Sequence, residues 1–327
     1  MIFGTQQPTR SSKTRQAYEA RYESLRRRFA KDLATSPTDL DPNEVVAQLV
    51  ILKPELTMAT WRQYKAAALH YIETHEPGYE YAAEQLRQEN SAGLKPTSSR
   101  TSGKKLKQVP DKFFSSFKRQ LKKRAERGHK HSLALAYVLR GTLLTGLRPN
   151  EWCYSEIGTH LGTDRKILKI RNSKHSNGRA NGEYRELFID ELETDEIEII
   201  EAALRYCQAA NEDDAIRIQI ALRNEYSETA KLCRHTLESD KSVTIYSFRH
   251  QFIANAKQTF SDPVLISAMV GHNSTKTAFE HYGRRLNGRN RIKVTPTPES
   301  VANVQKITLE LYRDYVAQRK SASITLN

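Results

Sequence analysis

The stretch NSAGLKPTSSRTSGKKLKQ, residues 90–108, divides the chain. It is rich in Ser, Gly, Thr and Lys and has no apolar periodicity, yet it stands between two long regions that do. A chain interrupted in this way does not build one continuous core across its middle. Two domains are therefore expected, joined by a flexible basic linker over residues 93–108. A length of 327 residues suits two domains of ordinary size.

Before the linker the pattern is helical. Tyr18, Tyr22, Leu25, Phe29 and Leu33 recur every three or four residues and predict a helix over 13–34, with Arg21, Arg26, Arg27 and Lys31 opposite. Asp41-Pro42 is a helix-start signal for residues 43–52. Trp61, Tyr64, Ala68 and Ile72 share a face of a helix over 57–75, and residues 79–89 add another. Residues 1–92 thus read as a helical domain.

After the linker, residues 109–327 read as a second domain. DKFFSSFKRQLKKRAERG is a basic helix, and residues 131–147 are apolar on nearly every turn up to a break at Gly146. KILKIRN alternates as a strand, SKHSNGRANGE is turn material and YRELFID is a second strand, so a hairpin is expected. Residues 191–235 are helical in pattern and begin acidic; 244–260 and 262–270 follow as helices. A terminal helix over 300–318 carries Val304, Ile307, Leu311 and Tyr315 in register. The expected fold class is mainly α with a small β-sheet, α+β.

Lys plus Arg total 52 against 38 Asp plus Glu, a net charge of +14. Such an imbalance favours a polyanionic partner, usually nucleic acid. Arg26, Arg27, Arg62, Lys65, Lys104 and Lys105 are candidates for DNA binding. Cys153, Cys207 and Cys233 are widely spaced with no CxxC pair, which indicates neither a disulfide framework nor a zinc site and fits a reducing cytoplasm. No run of 18 apolar residues occurs and MIFGTQQPTRSSKTR lacks an apolar signal-peptide region, so an intracellular, non-membrane protein is expected. The sequence holds no GxxxxGK[ST] loop, no HExxH and no carboxylate cluster of the metal-nuclease kind. Cleavage of nucleic acid by this chain would proceed without metal.

Several polar residues stand at special places. Arg148 follows an apolar helix in LLTGLRPNEW, with Glu151 three residues on to hold its guanidinium. Arg249 in IYSFRHQFIANA lies amid Ile245, Phe248, Phe252 and Ile253. A cation at such a position needs an anion. Lys174 falls at the hairpin, His272 follows Gly271 at the end of an apolar helix, and Tyr282 ends AFEHY. Taken singly, each has an ordinary reading: ion pair, solvated lysine, capping histidine, packing aromatic.

Together and in this order they resemble the tyrosine recombinase, or phage integrase, family, across essentially the C-terminal two-thirds of the chain. TGLRPNE resembles its first arginine box (Arg148, with Glu151 in support), and NSKHSNGR lies where the family's β-hairpin lysine falls, at Lys174. YSFRH resembles the second box, with Arg249; VGH supplies His272, and EHYGRR the nucleophile Tyr282. The resemblance implies a helical, SAM-like core-binding domain and a mixed α/β catalytic domain that clamp double-stranded DNA. It implies site-specific strand exchange through a 3′-phosphotyrosyl ester, with no cofactor. It further implies a homotetramer on two inverted-repeat DNA sites, a monomer or weak oligomer without DNA, accessory bending or directionality proteins, and a nucleoid-associated cytoplasmic setting of bacterial, phage or plasmid type. Family members often dock a C-terminal segment onto a neighbour; here 300–318 docks or packs on its own domain.

The chain departs from the family's pattern at Tyr246, where histidine is usual. A phenol of pKa ~10 is a poor base near neutrality but can still donate to a phosphate oxygen. Lys169 and Arg179 stand near Lys174 as alternatives for the lysine. Competing readings are a non-catalytic DNA-binding protein on the same scaffold, a telomere resolvase and a basic RNA-binding protein. The last explains the charge but not the ordered residues.

Overall fold

The computed structural model describes residues 12–95, 104–173, 175, 180–273, 275 and 282–308. The chain separates into two units, Met1–Arg100 and Thr101–Asn327.

The first unit is helical: α1 (Ser12–Asp32), α2 (Pro42–Leu52), α3 (Met58–His75) and α4 (Glu80–Gln88). Tyr22, Leu25 and Phe29 of α1 are buried with Val45, Val46 and Leu49 of α2, Trp61, Ala68 and Ile72 of α3, and Leu86 of α4. Leu33, expected on that stripe, lies past the end of α1 and is 45% exposed. The start of α2 follows from Asp41, which accepts from Glu44 N at 2.9 Å while the Glu44 carboxylate accepts from Asp41 N at 2.9 Å. This reciprocal cap satisfies donors that a helix start leaves unpaired.

The second unit runs α5 (Asp111–Glu126), α6 (Ser132–Thr145), β1 (Ser155–Thr159), β2 (Lys166–Arg171), β3 (Tyr184–Phe188), α7 (Thr194–Cys207), α8 (Glu212–Cys233), α9 (Ile245–Thr259), α10 (Pro263–Val270) and β4 (Thr295–Pro296). Residues 298–308 are helical. The strands form one antiparallel sheet in the order β1-β2-β3-β4. This is the expected α+β class. Phe113, Phe117 and Leu121 of α5 join Leu135 and Leu139 of α6 and Phe248 and Phe252 of α9 in its core. Each such side chain contributes roughly 1.5–3 kcal/mol by leaving water.

Several expectations change. Residues 96–103 of the expected linker lie outside the described residues; beside them Lys95 N donates to Leu56 O at 3.0 Å, Ser242 N to Lys104 O at 3.0 Å, and Leu106 N to Ser242 O at 2.9 Å. The hairpin β2–β3 is flanked by two further strands. The segment 191–235 is two helices, because Asn211 caps α8 by accepting from Asp214 N at 2.9 Å. In the terminal helix, Val304 is fully buried and Ser300 Oγ accepts from Glu186 N of β3 at 2.9 Å. The start of that helix therefore packs on its own unit; Leu311 and Tyr315 lie outside the described residues.

Candidate active site

The site is assembled around one carboxylate. α6 ends at Gly146, whose φ of +70° reverses the chain and puts Arg148 and Glu151 at its buried end. The left-handed conformation suits glycine, and a β-carbon there would run into the Phe252 ring of α9. Glu151 Oε2 accepts from Arg148 N at 2.8 Å, and Oε1 accepts from Arg148 Nη1 at 2.6 Å. The contacts of Glu151 extend further. Arg185 Nη2 donates to Glu151 Oε2 at 2.8 Å, and Arg249 Nη1 lies 3.7 Å from the same oxygen. Burial alone would raise the Glu151 carboxyl's pKa, but Arg185, Arg148 and Arg249 hold it well below the usual carboxylate range.

Arg249 is fully buried on α9 and spans two turns of backbone. Its Nη1 donates to Gly146 O, and its Nη2 donates to Val270 O at 2.6 Å and lies 3.4 Å from His272 Nε2. These bonds bring the ends of α6 and α10 to the same guanidinium. His272 follows Gly271, which closes α10 with φ +66°. Burial first, then Arg249, Arg148 and Arg185, depress the His272 imidazole well below its ordinary pKa, so it is neutral at pH 7.

Tyr282 is half-buried beside these groups. Its ring centroid lies 4.9 Å from that of His272 and 4.8 Å from that of His250, and Arg249 Cζ is 5.8 Å from the ring. Its hydroxyl lies 2.9 Å from the Tyr246 hydroxyl. The segment is held by Lys257 Nζ of α9, which donates to Gly283 O at 2.9 Å. Arg148, Tyr246, Arg249, His272 and Tyr282, drawn from separate stretches of chain, therefore meet. Arg148 Nε, Arg249 Nε and His272 Nδ1 are buried and have no hydrogen-bond partner among the described residues. Buried polar atoms are rarely left so, and an anion bound between the arginines would satisfy the two donors.

Sequence reasoning missed Arg185 and Asn172. Arg185 is 1% exposed on β3; its Nε donates to Met269 O at 2.9 Å and its Nη1 to Asn172 Oδ1. Asn172 Nδ2 in turn donates to Gly182 O at 2.9 Å, closing the base of the β2–β3 connection. Arg185 thus ties Glu151, the end of α10 and the hairpin together. Burial pushes its pKa down to about 10, against the pull of Glu151, so it stays charged. The signal was available: in YRELF, Arg185 shares the inward face of the strand with Leu187. His250, one helical turn after Tyr246, is the third residue not anticipated. Burial, then Lys107, Arg249 and Lys257, lower its pKa to about 4.

Lys174 and Arg179 lie outside the described residues. Lys169 is engaged elsewhere, with Nζ 4.0 Å from Glu156 Oε1 and 5.2 Å over the Tyr184 ring. In the first unit, Arg27 and Arg62 are exposed. Arg26 donates to Thr38 O at 3.2 Å and Leu40 O at 3.0 Å, and Lys65 donates to Arg87 O at 2.8 Å and Glu89 O at 2.6 Å, so these two bind the unit's own backbone. Lys104 and Lys105 are exposed on the second unit.

Among solved structures similar to this chain is the XerH site-specific recombinase bound to palindromic difH substrate in a post-cleavage complex. It shares 16% identity at a TM-score of 0.43, over 74% of this chain and 68% of that one. The XerA recombinase shares 16% identity at a TM-score of 0.32, over 84% and 89%. No protein-family model and no curated protein matches the chain.

Proposed function

We propose that this chain is a site-specific tyrosine recombinase that cleaves and rejoins double-stranded DNA through a phosphotyrosyl ester on Tyr282. The observation that carries the reading is the meeting of Arg148, Arg249, His272 and Tyr282 around Glu151, with buried polar atoms on the first three left unpartnered. A phosphodiester under attack gathers negative charge on its nonbridging oxygens, and preorganised cations lower that barrier most. The two guanidinium groups are forked donors matched to such oxygens. Three arginines on one carboxylate leave the pocket net positive, as an anion site requires.

Tyr282 attacks phosphorus, the bond to the 5′-oxygen breaks, and the ester conserves its energy for rejoining by another 5′-hydroxyl. Lys174 is the proposed donor of the proton to the leaving oxygen. Two duplexes, four copies of the chain and accessory DNA-bending proteins belong to the same reading. So does the biological setting: integration and excision of a mobile element, or resolution of cointegrates. The net charge of +14 supplies general attraction to DNA.

The test is a nicked half-site that traps the covalent species. The full-length chain should give a protein–DNA adduct on a denaturing gel, and Tyr282→Phe should give none. A chain that binds the site with high affinity yet never forms the adduct would instead be a DNA-binding protein on this scaffold.

A further inference from the structure

After Tyr282 the chain makes one short 3₁₀ turn, Arg285–Asn287, before it reaches β4 at Thr295. An irregular stretch of this kind needs partners for its backbone groups from outside itself. Here α9 supplies them. Gln251, Asn255 and Thr259 recur at every fourth residue and form one stripe along the helix. Gln251 Nε2 donates to Asn287 O at 2.7 Å. Asn255 Oδ1 accepts from Arg289 N at 3.0 Å, and Thr259 Oγ1 accepts from Ile292 N at 3.0 Å. Beside that stripe His250, Ala254 and Lys257 share a face, and Lys257 Nζ reaches Gly283 O at 2.9 Å.

Gly283 fits that face with no room for a side chain. A β-carbon there would lie 2.6 Å from His250 O and 3.1 Å from both Ala254 Cβ and Lys107 O. The backbone is therefore pressed onto α9 at the residue next to Tyr282. Lys257 is only 6% exposed. A buried ammonium has lost its hydration and persists only where protein groups replace the water. The carbonyl it meets belongs to the peptide unit adjoining the tyrosine. Two holds of different reach result: Lys257 acts beside Tyr282, and the stripe acts further along, over residues 287–292.

We infer that Lys257 is a positioning residue for Tyr282 in the reaction proposed above: by fixing the carbonyl of Gly283, its ammonium sets the place from which the phenol oxygen meets a phosphate held by Arg148 and Arg249. Its contact is with the backbone, so it acts through the tyrosine rather than on the phosphate. The ring contacts of Tyr282 with His250 and His272 are weakly directional. A charge-assisted bond to the adjoining peptide unit is directional and fixes the backbone from which the ring projects. In-line attack is sensitive to that placement, since a displacement of about 1 Å can cost roughly 10²-fold in rate. Gln251, Asn255 and Thr259 anchor the chain beyond and leave the place of the ring to Lys257.

The kinetic arm of the test rests on the recombinase reading, and the spectroscopic arm does not. Fluorine NMR of the full-length chain with 3-fluorotyrosine in place of Tyr282 reports the surroundings of the ring without DNA. Single-turnover adduct formation at saturating nicked half-site reports the chemistry, with half-site affinity and denaturant unfolding measured alongside. Lys257→Met keeps the stem and removes the donor. It should shift or split the fluorine signal and lower the adduct rate roughly 10²-fold at unchanged affinity. Lys257→Arg, which returns a cationic donor, should restore both in part. Thr259→Val releases Ile292 N and should lower stability while keeping the wild-type signal and rate. Should Lys257→Met fail to fold, Lys257→Gln, too short to reach Gly283 O, carries the same expectation. A wild-type signal or a wild-type adduct rate in the folded variant would overturn the inference. So would equal changes in Lys257→Met and Thr259→Val, the mark of general loosening. A shifted signal in Lys257→Met beside a wild-type chain that forms no adduct would condemn the recombinase reading and leave the hold on Tyr282 standing.

Discussion

Arg185 and Glu151 form a hydrogen-bonded ion pair at 2.8 Å with both side chains fully removed from solvent. Neither lies on an element that ends at Tyr282, yet the pair fixes where Arg148 and Arg249 stand. Arg148 and Arg249 both lean on the same carboxylate, and the remaining donors of Arg185 reach the end of α10 and the hairpin.

Removing one partner of such a pair leaves the other charge buried with fewer contacts, which costs about 3–5 kcal/mol. Arg185→Met should therefore lower the free energy of unfolding in denaturant by that order. Arg185→Lys should recover part of the stability but little of the adduct rate, because one ammonium cannot reach Glu151, Asn172 and Met269 O together. A stability loss below about 1 kcal/mol in Arg185→Met would show that the pair is not what holds the site.

Gly271 is needed for a steric reason. With φ at +66°, a β-carbon would lie 2.8 Å from Arg185 Nη1 and would also meet Asn172 Oδ1. Gly271→Ala should cost on the order of 1–3 kcal/mol from backbone strain and displace His272. The expected readout is a lowered melting temperature together with slower adduct formation.

His250 makes stability depend on acid. The unfolded imidazole takes up a proton as pH falls through ~6.5, whereas the folded one does so only near its lowered pKa of about 4. Between those values the unfolded state binds more protons, so the native state loses stability as pH falls. His250→Phe keeps an aromatic ring beside Tyr246 and Tyr282 and should show a shallower loss across that window, measured by denaturant unfolding at successive pH values. Slopes identical to wild type would count against a neutral His250.

Exposed and internally bonded cations of the first unit should behave differently. Under the proposed function, Arg27→Ala and Arg62→Ala should weaken DNA binding similarly across sequences and each lower the slope of log K against log salt by about 1. Lys65→Ala should instead lower stability, because its ammonium binds the last carbonyls of α4. Salt titrations and thermal melts on the three variants distinguish these outcomes.

Much of this arrangement was legible before any coordinates. Arg148, Glu151, Arg249, His272 and Tyr282 stand in short motifs beside apolar helices, where a polar side chain draws notice. Helix starts such as Asp41-Pro42 carry their cause in adjacent residues. Arg185 stayed hidden because a charge in an alternating strand looks like its solvent face until the register of Leu187 is followed inward. The strand Ser155–Thr159 has a single large apolar residue, Ile157, and is held by backbone pairing with β2. The contact of Tyr246 with Tyr282 joins positions 36 residues apart, and no local pattern announces it.

One carboxylate among three guanidinium groups has a thermodynamic corollary. The folded chain confines more like charge in its interior than it neutralises, and the unfolded chain does not. Under the proposed function, a phosphodiester that enters binds only the folded form, so ligation and folding become one linked equilibrium. A duplex at 100 times its dissociation constant would add roughly 2.7 kcal/mol to stability. The chain is then at its most fragile in the interval between leaving one duplex and meeting the next.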